Sequence, residues 1–335
     1  MNTSNFFEYA GRCYQSRYDA EEIAWHTFYG AQSGLRSLKT FCMESGKGEN
    51  LSFDEIDARF LQDYKAWCLA KGNSAETVNR KLSPIISCIR RASREGAECY
   101  VLSWRPEELY FHDRCHRYGP EAGRLACGTQ ERIRYLSDDQ MRQLINYYRS
   151  SPCPAQERSI ELFLFSFHAC GMRISDVLTL EWKHVNFDNA TITKVLVKSK
   201  SPITIPLSSP AVEILLRHRT LDGNARFVFN KLPEYIDLSD DENLSRTIDS
   251  CERTIRHNLN TAGRNLGFPF PLGMHVARHT FAVKALNSAG ADVHLISRVM
   301  GHSSVTVTER VYAKFLLPTL STRVREVLTF QEYSI

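Results

Sequence analysis

Two arginines stand in polar segments that a purely structural role does not require. Arg173 lies three residues before Asp176, and Arg278 lies three residues after His275, so each pair falls on one face of a helix. A guanidinium donates two parallel hydrogen bonds to phosphate oxygens, and an arginine and a histidine that share one face suit a phosphate. An ordinary i,i+3 ion pair between Arg173 and Asp176 is the alternative that these residues leave open.

Two further segments carry basic and hydroxyl side chains. Lys194, Lys198 and Lys200 surround a predicted hairpin turn, where solvated lysines usually provide only solubility and protect a strand edge. Farther along the chain, His302 lies ten residues before Tyr312. Taken alone, Tyr312 could be an ordinary amphipathic aromatic residue on a surface helix.

The elements of the N-terminal region are predicted from hydrophobic periodicity. Residues 1–103 are expected to be helical, because apolar residues recur at intervals of three and four. Ser74 is a predicted N-cap, and Pro84 is expected to kink or split the helix that follows it. Residues 104–135 lose this periodicity and are interrupted by Pro and Gly, which predicts a connector between two domains.

A second domain is predicted over residues 136–335. Ser137 and Gln140 have the spacing of a capping box at a helix start. The β-branched residues of 190–206 predict a hairpin with its turn at 199–202, and helical signals return on both sides of it. The expected fold class is therefore mainly α, with an all-helical N-terminal domain and a mixed helical domain that contains a small antiparallel β-sheet or hairpin.

Composition narrows the class of protein. The chain has 335 residues, of which 43% are hydrophobic and 24% charged, which excludes a disordered or collagen-like chain. No apolar stretch approaches the roughly 20 residues needed to cross a bilayer, and the N-terminus lacks the pattern of a secretion signal. We therefore expect a cytoplasmic, nucleoid-associated protein without a membrane partner. The net charge of +4 permits a polyanionic partner without requiring one.

The cysteines predict neither disulfides nor a metal site. The ten cysteines are scattered singly without a C-x-x-C pair, so we expect reduced and mostly buried thiols. The nearest approach to a metal cluster is His112, Cys115, His116 and Cys127, whose spacing matches no common zinc pattern. We predict no metal and no cofactor.

In their order along the chain, the polar segments resemble those of the tyrosine recombinase (phage integrase) family of the two-domain type. The elements are an arginine followed by Ser-Asp, a hairpin lysine, H-x-x-R, Gly-His and a tyrosine toward the C-terminus. Five elements in this order are specific evidence for the family, whereas H-x-x-R by itself is weak evidence. The resemblance covers about 136–316, and more loosely 1–103, which is similar to the family's core-binding domain.

The resemblance implies a site-specific, metal-independent DNA recombinase of the integrase or invertase type. Tyr312 would attack the scissile phosphorus and form a 3′-phosphotyrosyl bond while the 5′-hydroxyl leaves. Arg173 and Arg278 would stabilise the charge on the non-bridging oxygens. His275 would assist the deprotonation of the tyrosine or bind phosphate, and His302 would donate a further hydrogen bond to the phosphate.

The remaining site residues also come from the resemblance. Lys198 lies eight residues before Pro206, the spacing of the family's general acid for the 5′ oxygen, and Lys200 is the competing candidate. Asp176 and His279 are expected to orient the reacting groups rather than to react.

A basic helix is the predicted DNA contact of the N-terminal domain. The residues between Ser74 and Arg94 carry five basic side chains against one acidic side chain, which would place a positive face along phosphates. The two domains are expected to clamp double-stranded DNA from opposite sides, and a merely solvated charged face is the alternative. The residues predicted to contact DNA are Arg80, Lys81, Arg90, Arg91, Arg94 and, on the hairpin, Lys200.

The resemblance further implies a homo-oligomer, with a dimer on each recombination site and a tetramer in the synapse. The tail helix 319–335 would pack on a neighbouring protomer or back on its own chain. Whether accessory DNA-bending proteins take part stays open. The chain begins almost directly with the core-binding-like helices, which favours a simple two-domain recombinase such as an invertase or resolvase-like enzyme, and integration of a mobile element stays open. A type IB topoisomerase and a non-catalytic DNA-binding regulator are the alternative functions, and Tyr333 is the rival nucleophile.

Overall fold

A computed structural model describes residues 5–96, 110, 133–150, 153–221, 225–288, 291–302, 304–306, 308–309 and 312. The chain divides into two compact units, residues 1–130 and 131–335. Most of the predicted connector 104–135 lies outside the described residues, as do the cysteine and histidine cluster at 112–127, the tail helix 319–335 and Tyr333. The domain boundaries at 103 and 136 therefore stay predictions.

The described residues of the first unit form four helices around a core rich in aromatic side chains. Ser74 caps the fourth helix as predicted, because its hydroxyl accepts a hydrogen bond of 3.3 Å from the Thr77 N–H. The helices are α1 (Phe6–Asp19), α2 (Trp25–Glu44), α3 (Ala58–Ala70) and α4 (Ala75–Arg94).

Of the two effects predicted for Pro84, a kink or a split, the split does not occur, since α4 runs unbroken from Ala75 to Arg94. Pro84 is buried against α2 at Gly34, where an added Cβ would lie only 2.9 Å from the proline Cγ. Because Gly34 has no side chain, the two helices approach closely there and bury the ring. This apolar contact offsets the hydrogen bond that a proline removes from a helix.

The second unit is helical with one small sheet, so the predicted fold class is confirmed. The capping box is confirmed as well: the Ser137 N–H donates to Gln140 Oε1 at 3.0 Å, and the Gln140 N–H donates to Ser137 Oγ at 3.2 Å. The elements are α5 (Asp138–Ser150), α6 (Pro154–His168), α7 (Ile174–Leu178), β1 (Val185–Asn186), β2 (Thr191–Val195), β3 (Pro202–Pro206), α8 (Ser209–Leu221), α9 (Asp241–Asn265), α10 (Met274–Asn287) and α11 (Val293–Val299).

The sheet is antiparallel with the order β1-β2-β3, which adds one short strand to the predicted hairpin. Ile192 pairs with Ile205 across β2 and β3, and both side chains are buried. Helix α6 lies at the centre of the core and packs against α8, α9 and α10. No helix among the described residues combines the length and the apolar character needed to span a membrane.

Candidate active site

Arg173 is positioned by a tight turn and by a distant carbonyl. Gly171 adopts a φ of +70°, which lets the chain leave α6 and place Arg173 at the N-cap of α7. The two terminal nitrogens of Arg173 each donate to the Gly301 carbonyl at 3.2 Å. The side chain of Arg173 thus reaches the end of α11, and the ion pair with Asp176 that the sequence left open is not among its described contacts.

Arg278 is buried beside Arg173 and is also held by main-chain carbonyls. It is 5% exposed and donates to the Gly171 carbonyl at 2.7 Å and to the Met300 carbonyl at 2.8 Å. Burial, and then the positive charge of Arg173, lower the pKa of Arg278 to about 10, so it stays charged at neutral pH. Two positive charges in a site that is partly shielded from water attract an anion strongly.

Tyr312 packs in the small cluster between α10 and α11, and its hydroxyl lies 2.7 Å from Nδ1 of His279. Burial raises the pKa of Tyr312 to about 12, against a smaller lowering by Arg278. Burial and the neighbouring cationic groups lower the pKa of His279 to about 4. At neutral pH both groups are therefore uncharged, and in the tautomer of His279 whose proton lies on Nε2 the phenol donates its hydrogen bond to Nδ1.

The other two histidines flank this contact. His302 Nδ1 lies 2.6 Å from the hydroxyl of Thr308, and burial together with Arg278 lowers the pKa of His302 to about 4. When the Thr308 hydroxyl donates to Nδ1, the proton of the neutral ring lies on Nε2, which can donate to a phosphate. The side chain of His275 keeps contact with solvent, and its ring centre is 5.6 Å from that of His279. Partial desolvation by the surrounding protein, followed by the charge of Arg278, lowers the pKa of His275.

The two turn lysines are exposed at the tip of the hairpin. A turn over residues 196–201 closes with a hydrogen bond of 3.0 Å from the Leu196 N–H to the Ser201 carbonyl. Lys198 lies near enough to His275 to lower the pKa of that histidine. Lys200 has a φ of +51°, a left-handed conformation that costs a residue with a Cβ some free energy.

Lys194 is not a solvated turn residue, as the sequence suggested, but a buried one. Its ammonium donates to the Asp176 carbonyl and to the Thr179 hydroxyl, each at 2.8 Å. Asp176 in turn accepts a hydrogen bond of 2.8 Å from the Val197 N–H, next to Lys198. This supports the predicted orienting role of Asp176.

The second unit thus gathers most of the predicted site residues around α10 and α11. Sequence reasoning left two roles open for His275, assisting Tyr312 or binding phosphate, and the contact with Tyr312 is made by His279 instead; the local signal for it was a second histidine directly after Arg278. The burial of Lys194 also had a signal, because it shares a face of β2 with the buried Ile192. Among the described residues, no group of three or more His, Cys, Asp or Glu is placed to hold a metal ion.

Most of the predicted DNA-contacting side chains of α4 lie on its outer surface. Arg91 differs from the others because it forms an ion pair of 3.1 Å with Glu95, which also accepts a hydrogen bond from the Tyr9 hydroxyl. Lys81 is half-buried beside α2. The exposed arginines of this helix are Arg80, Arg90, Arg91 and Arg94.

Comparison with protein families gives one match for each unit. Residues 134–316 match the model of the phage integrase family, and residues 5–98 match the phage integrase SAM-like domain. The tyrosine recombinase XerC of Chlorobaculum parvum is 24% identical over 323 residues, which cover 87% of this chain and 82% of the relative. The tyrosine recombinase XerA of Pyrococcus furiosus is 27% identical over 187 residues, 54% of this chain and 58% of the relative.

Solved structures of integrases share the fold. The integrase of transposon Tn1549 in complex with a circular intermediate DNA has a TM-score of 0.68 at 16% identity, covering 92% of this chain and 95% of that one. A lambda integrase tetramer bound to a Holliday junction has a TM-score of 0.60 at 16% identity, covering 92% and 78%. Because both sequence identities are only 16%, the likeness of these structures concerns the fold alone.

Proposed function

The chain belongs to the phage integrase family of tyrosine recombinases, which are site-specific DNA recombinases, and we propose that it joins itself to DNA through a 3′-phosphotyrosyl bond at Tyr312. The observation that carries the proposal is the contact of Tyr312 with His279 next to the buried Arg278 and the half-buried Arg173. A tyrosine nucleophile, a neutral acceptor for its proton and cations for the phosphate are the parts that a phosphodiester exchange needs.

Proton transfer begins at the phenol. The Tyr312 oxygen attacks the scissile phosphorus, and its proton passes to Nδ1 of His279, which is neutral at physiological pH. The bond from phosphorus to the 5′ oxygen breaks, and the Lys198 ammonium supplies the proton that the leaving oxygen requires. Rejoining runs in reverse, when a 5′-hydroxyl attacks the phosphotyrosine and Tyr312 leaves.

The arginines stabilise the charge that grows on the phosphate. Arg173 and Arg278 are oriented by the carbonyls of residues 171, 300 and 301, so little reorganisation is needed when the phosphate binds. His302 donates from Nε2 to a non-bridging oxygen, and His275 binds the phosphate from its exposed position. Removing one such hydrogen-bond donor from a site of this kind lowers the rate of the chemical step by about 10²- to 10³-fold.

The partner that we propose is double-stranded DNA with paired recombination sites. Relatives of the same fold are described bound to a circular intermediate DNA and, as a tetramer, to a Holliday junction. By analogy, we assign this chain a dimer on each site and a tetramer in the synapse. Helix α4 contributes phosphate contacts through Arg90 and Arg94, whose charges have no acidic partner among the described residues.

A suicide duplex that carries DNA flanking the gene tests the covalent step. Wild type is expected to form an adduct on a denaturing gel, while Tyr312→Phe binds the duplex without forming it. Tyr235→Phe is the matched control, since Tyr235 is 91% exposed and lies outside the site, and it should behave as wild type. Adduct formation by Tyr312→Phe, or none by wild type that binds a proven site, would refute the proposal.

The outcome of recombination is tested separately. We propose exchange between two sites of the invertase or integrase type. Plasmids with two copies of the site in inverted or direct order report inversion or excision, and a linear partner reports integration. Relaxation of a supercoiled plasmid without any exchange between paired sites would contradict recombination.

A further inference from the structure

Lys194 occupies a strand position where an apolar residue is expected. Side chains alternate along a strand, and the side chains two residues before and after Lys194, those of Ile192 in β2 and of Leu196 directly after β2, are buried in the core. Lys194 is itself 5% exposed and pairs across the sheet with Ile203. Burial lowers its pKa to about 8, and a buried ammonium persists only where partners compensate its lost hydration.

The partners of Lys194 lead to Asp176. The ammonium donates to the Asp176 carbonyl and to Thr179 Oγ1, and it lies 3.9 Å from Asp176 Oδ1. The Asp176 side chain is fully buried, and its Oδ2 has no hydrogen-bond partner among the described residues. Lys194 therefore supplies countercharge to a carboxylate that would be costly to bury alone.

Asp176 connects this ion pair to the hairpin turn. It lies on α7, the helix whose N-cap is Arg173, and its Oδ1 accepts the hydrogen bond from the Val197 N–H. Val197 directly precedes Lys198. A shift of the carboxylate would thus move the main chain from which Lys198 extends.

We propose that Lys194 is a positioning residue which, by holding Asp176, fixes the hairpin turn so that Lys198 reaches the leaving 5′ oxygen. This inference rests on the proposed function, in which Lys198 donates the proton. Lys194 itself touches no reacting atom and acts through the Asp176 contact with Val197.

A modified leaving group separates this role from a general role in folding. When sulfur replaces the bridging 5′ oxygen of the duplex, the leaving thiolate needs no proton near neutral pH, because thiols have a pKa near 8.5. Single-turnover adduct formation is measured on oxygen and sulfur duplexes with wild type, Lys194→Met and Lys198→Ala. Lys183→Met is the matched control, since the Lys183 side chain is 70% exposed.

Lys194→Met is expected to form the adduct about 100-fold more slowly than wild type on oxygen and within about threefold of wild type on sulfur. Lys198→Ala should show the same pattern, and Lys183→Met should match wild type on both duplexes. An unchanged rate on oxygen, or a defect that persists on sulfur, overturns the inference. If wild type forms no Tyr312-dependent adduct, or if sulfur does not rescue Lys198→Ala, the proposed function is refuted, and the inference that rests on it is refuted as well.

A double variant tests the inference even if Lys194→Met does not fold. Lys194→Met leaves a buried carboxylate without countercharge, whereas the double variant Lys194→Met with Asp176→Asn removes both charges and keeps an oxygen that accepts from the Val197 N–H. The double variant should regain the thermal stability of wild type and be rescued by sulfur. A folded double variant that is slow on both duplexes contradicts the inference.

Discussion

Gly301→Ala is expected to destabilise the second unit and to weaken its chemistry at the same time. Gly301 has a φ of +66°, a conformation that costs a residue with a Cβ about 1–2 kcal/mol. An added Cβ would also overlap Cδ1 of Leu196, which is 3% exposed and cannot turn into solvent. Overpacking of this kind costs about 1–3 kcal/mol, so the free energy of unfolding should fall by about 2–5 kcal/mol.

Gly267→Ala separates the two contributions. Gly267 has nearly the same φ, +68°, but nothing lies within 4 Å of its added Cβ, so only the backbone cost of about 1–2 kcal/mol applies. Urea unfolding followed by far-UV circular dichroism measures both variants. Leu196→Ala should cost less in the Gly301→Ala background than in wild type, because it relieves the overlap. Equal losses for Gly301→Ala and Gly267→Ala would refute the reasoning.

Gly301→Ala should also slow adduct formation, because it displaces Arg173. Both terminal nitrogens of Arg173 donate to the Gly301 carbonyl, so a displaced peptide shifts the guanidinium. Displacements on the order of 1 Å cost up to about 10²-fold in rate, and we expect a loss of about 10- to 100-fold in adduct formation at a temperature where the variant is folded. Gly267→Ala should form the adduct at the wild-type rate. A folded Gly301→Ala with the wild-type rate would show that Arg173 does not depend on this carbonyl.

Three further predictions concern pH, helix packing and DNA. The pKa of His279 and that of His302 are each lowered to about 4 from the ordinary 6.5, so the unfolded state binds more protons in this window and stability falls as pH drops. After allowance for partial exposure to solvent, we expect a loss of about 1–2 kcal/mol per histidine between pH 7 and 5, measured by urea unfolding; the same loss in a double His→Gln variant would contradict this. Gly34→Ala should lower stability by about 1–3 kcal/mol, because its Cβ would lie 2.8 Å from a main-chain carbonyl of α4, whereas Gly30→Ala in the same helix, with nothing within 4 Å, should raise it by up to about 1 kcal/mol in thermal unfolding. Arg90→Glu should weaken DNA binding and reduce the slope of log affinity against log salt by at least about 1 in fluorescence anisotropy, and an unchanged slope would remove α4 from the DNA contact.

Local signals in the chain were enough to predict the main elements. The capping residues Ser74 and Ser137 act within three residues of themselves, and the alternation of β-branched residues acts within one strand. Such interactions depend only on neighbours in sequence, so spacing records them. The order of Arg173, Arg278 and Tyr312 was sufficient to suggest the family for the same reason, because it is a property of the chain and not of its packing.

Pro84 marks the limit of local reasoning. Its ring removes a main-chain hydrogen bond, which predicts a break, but a glycine on another helix makes room for the ring and the burial favours an unbroken helix. Nothing near Pro84 in the sequence records that contact, since Gly34 lies fifty residues away.

The partners of the site residues were decided by the tertiary structure. Arg173 donates to a carbonyl 128 residues away, and Tyr312 meets His279 rather than His275. Lys194, which a turn-based interpretation left in solvent, pairs in the core with Asp176. Residue types and their order can be read along the chain, but which carbonyl meets a guanidinium and which imidazole meets a phenol depends on how distant helices pack, because hydrogen bonds require distances near 3 Å that only packing sets.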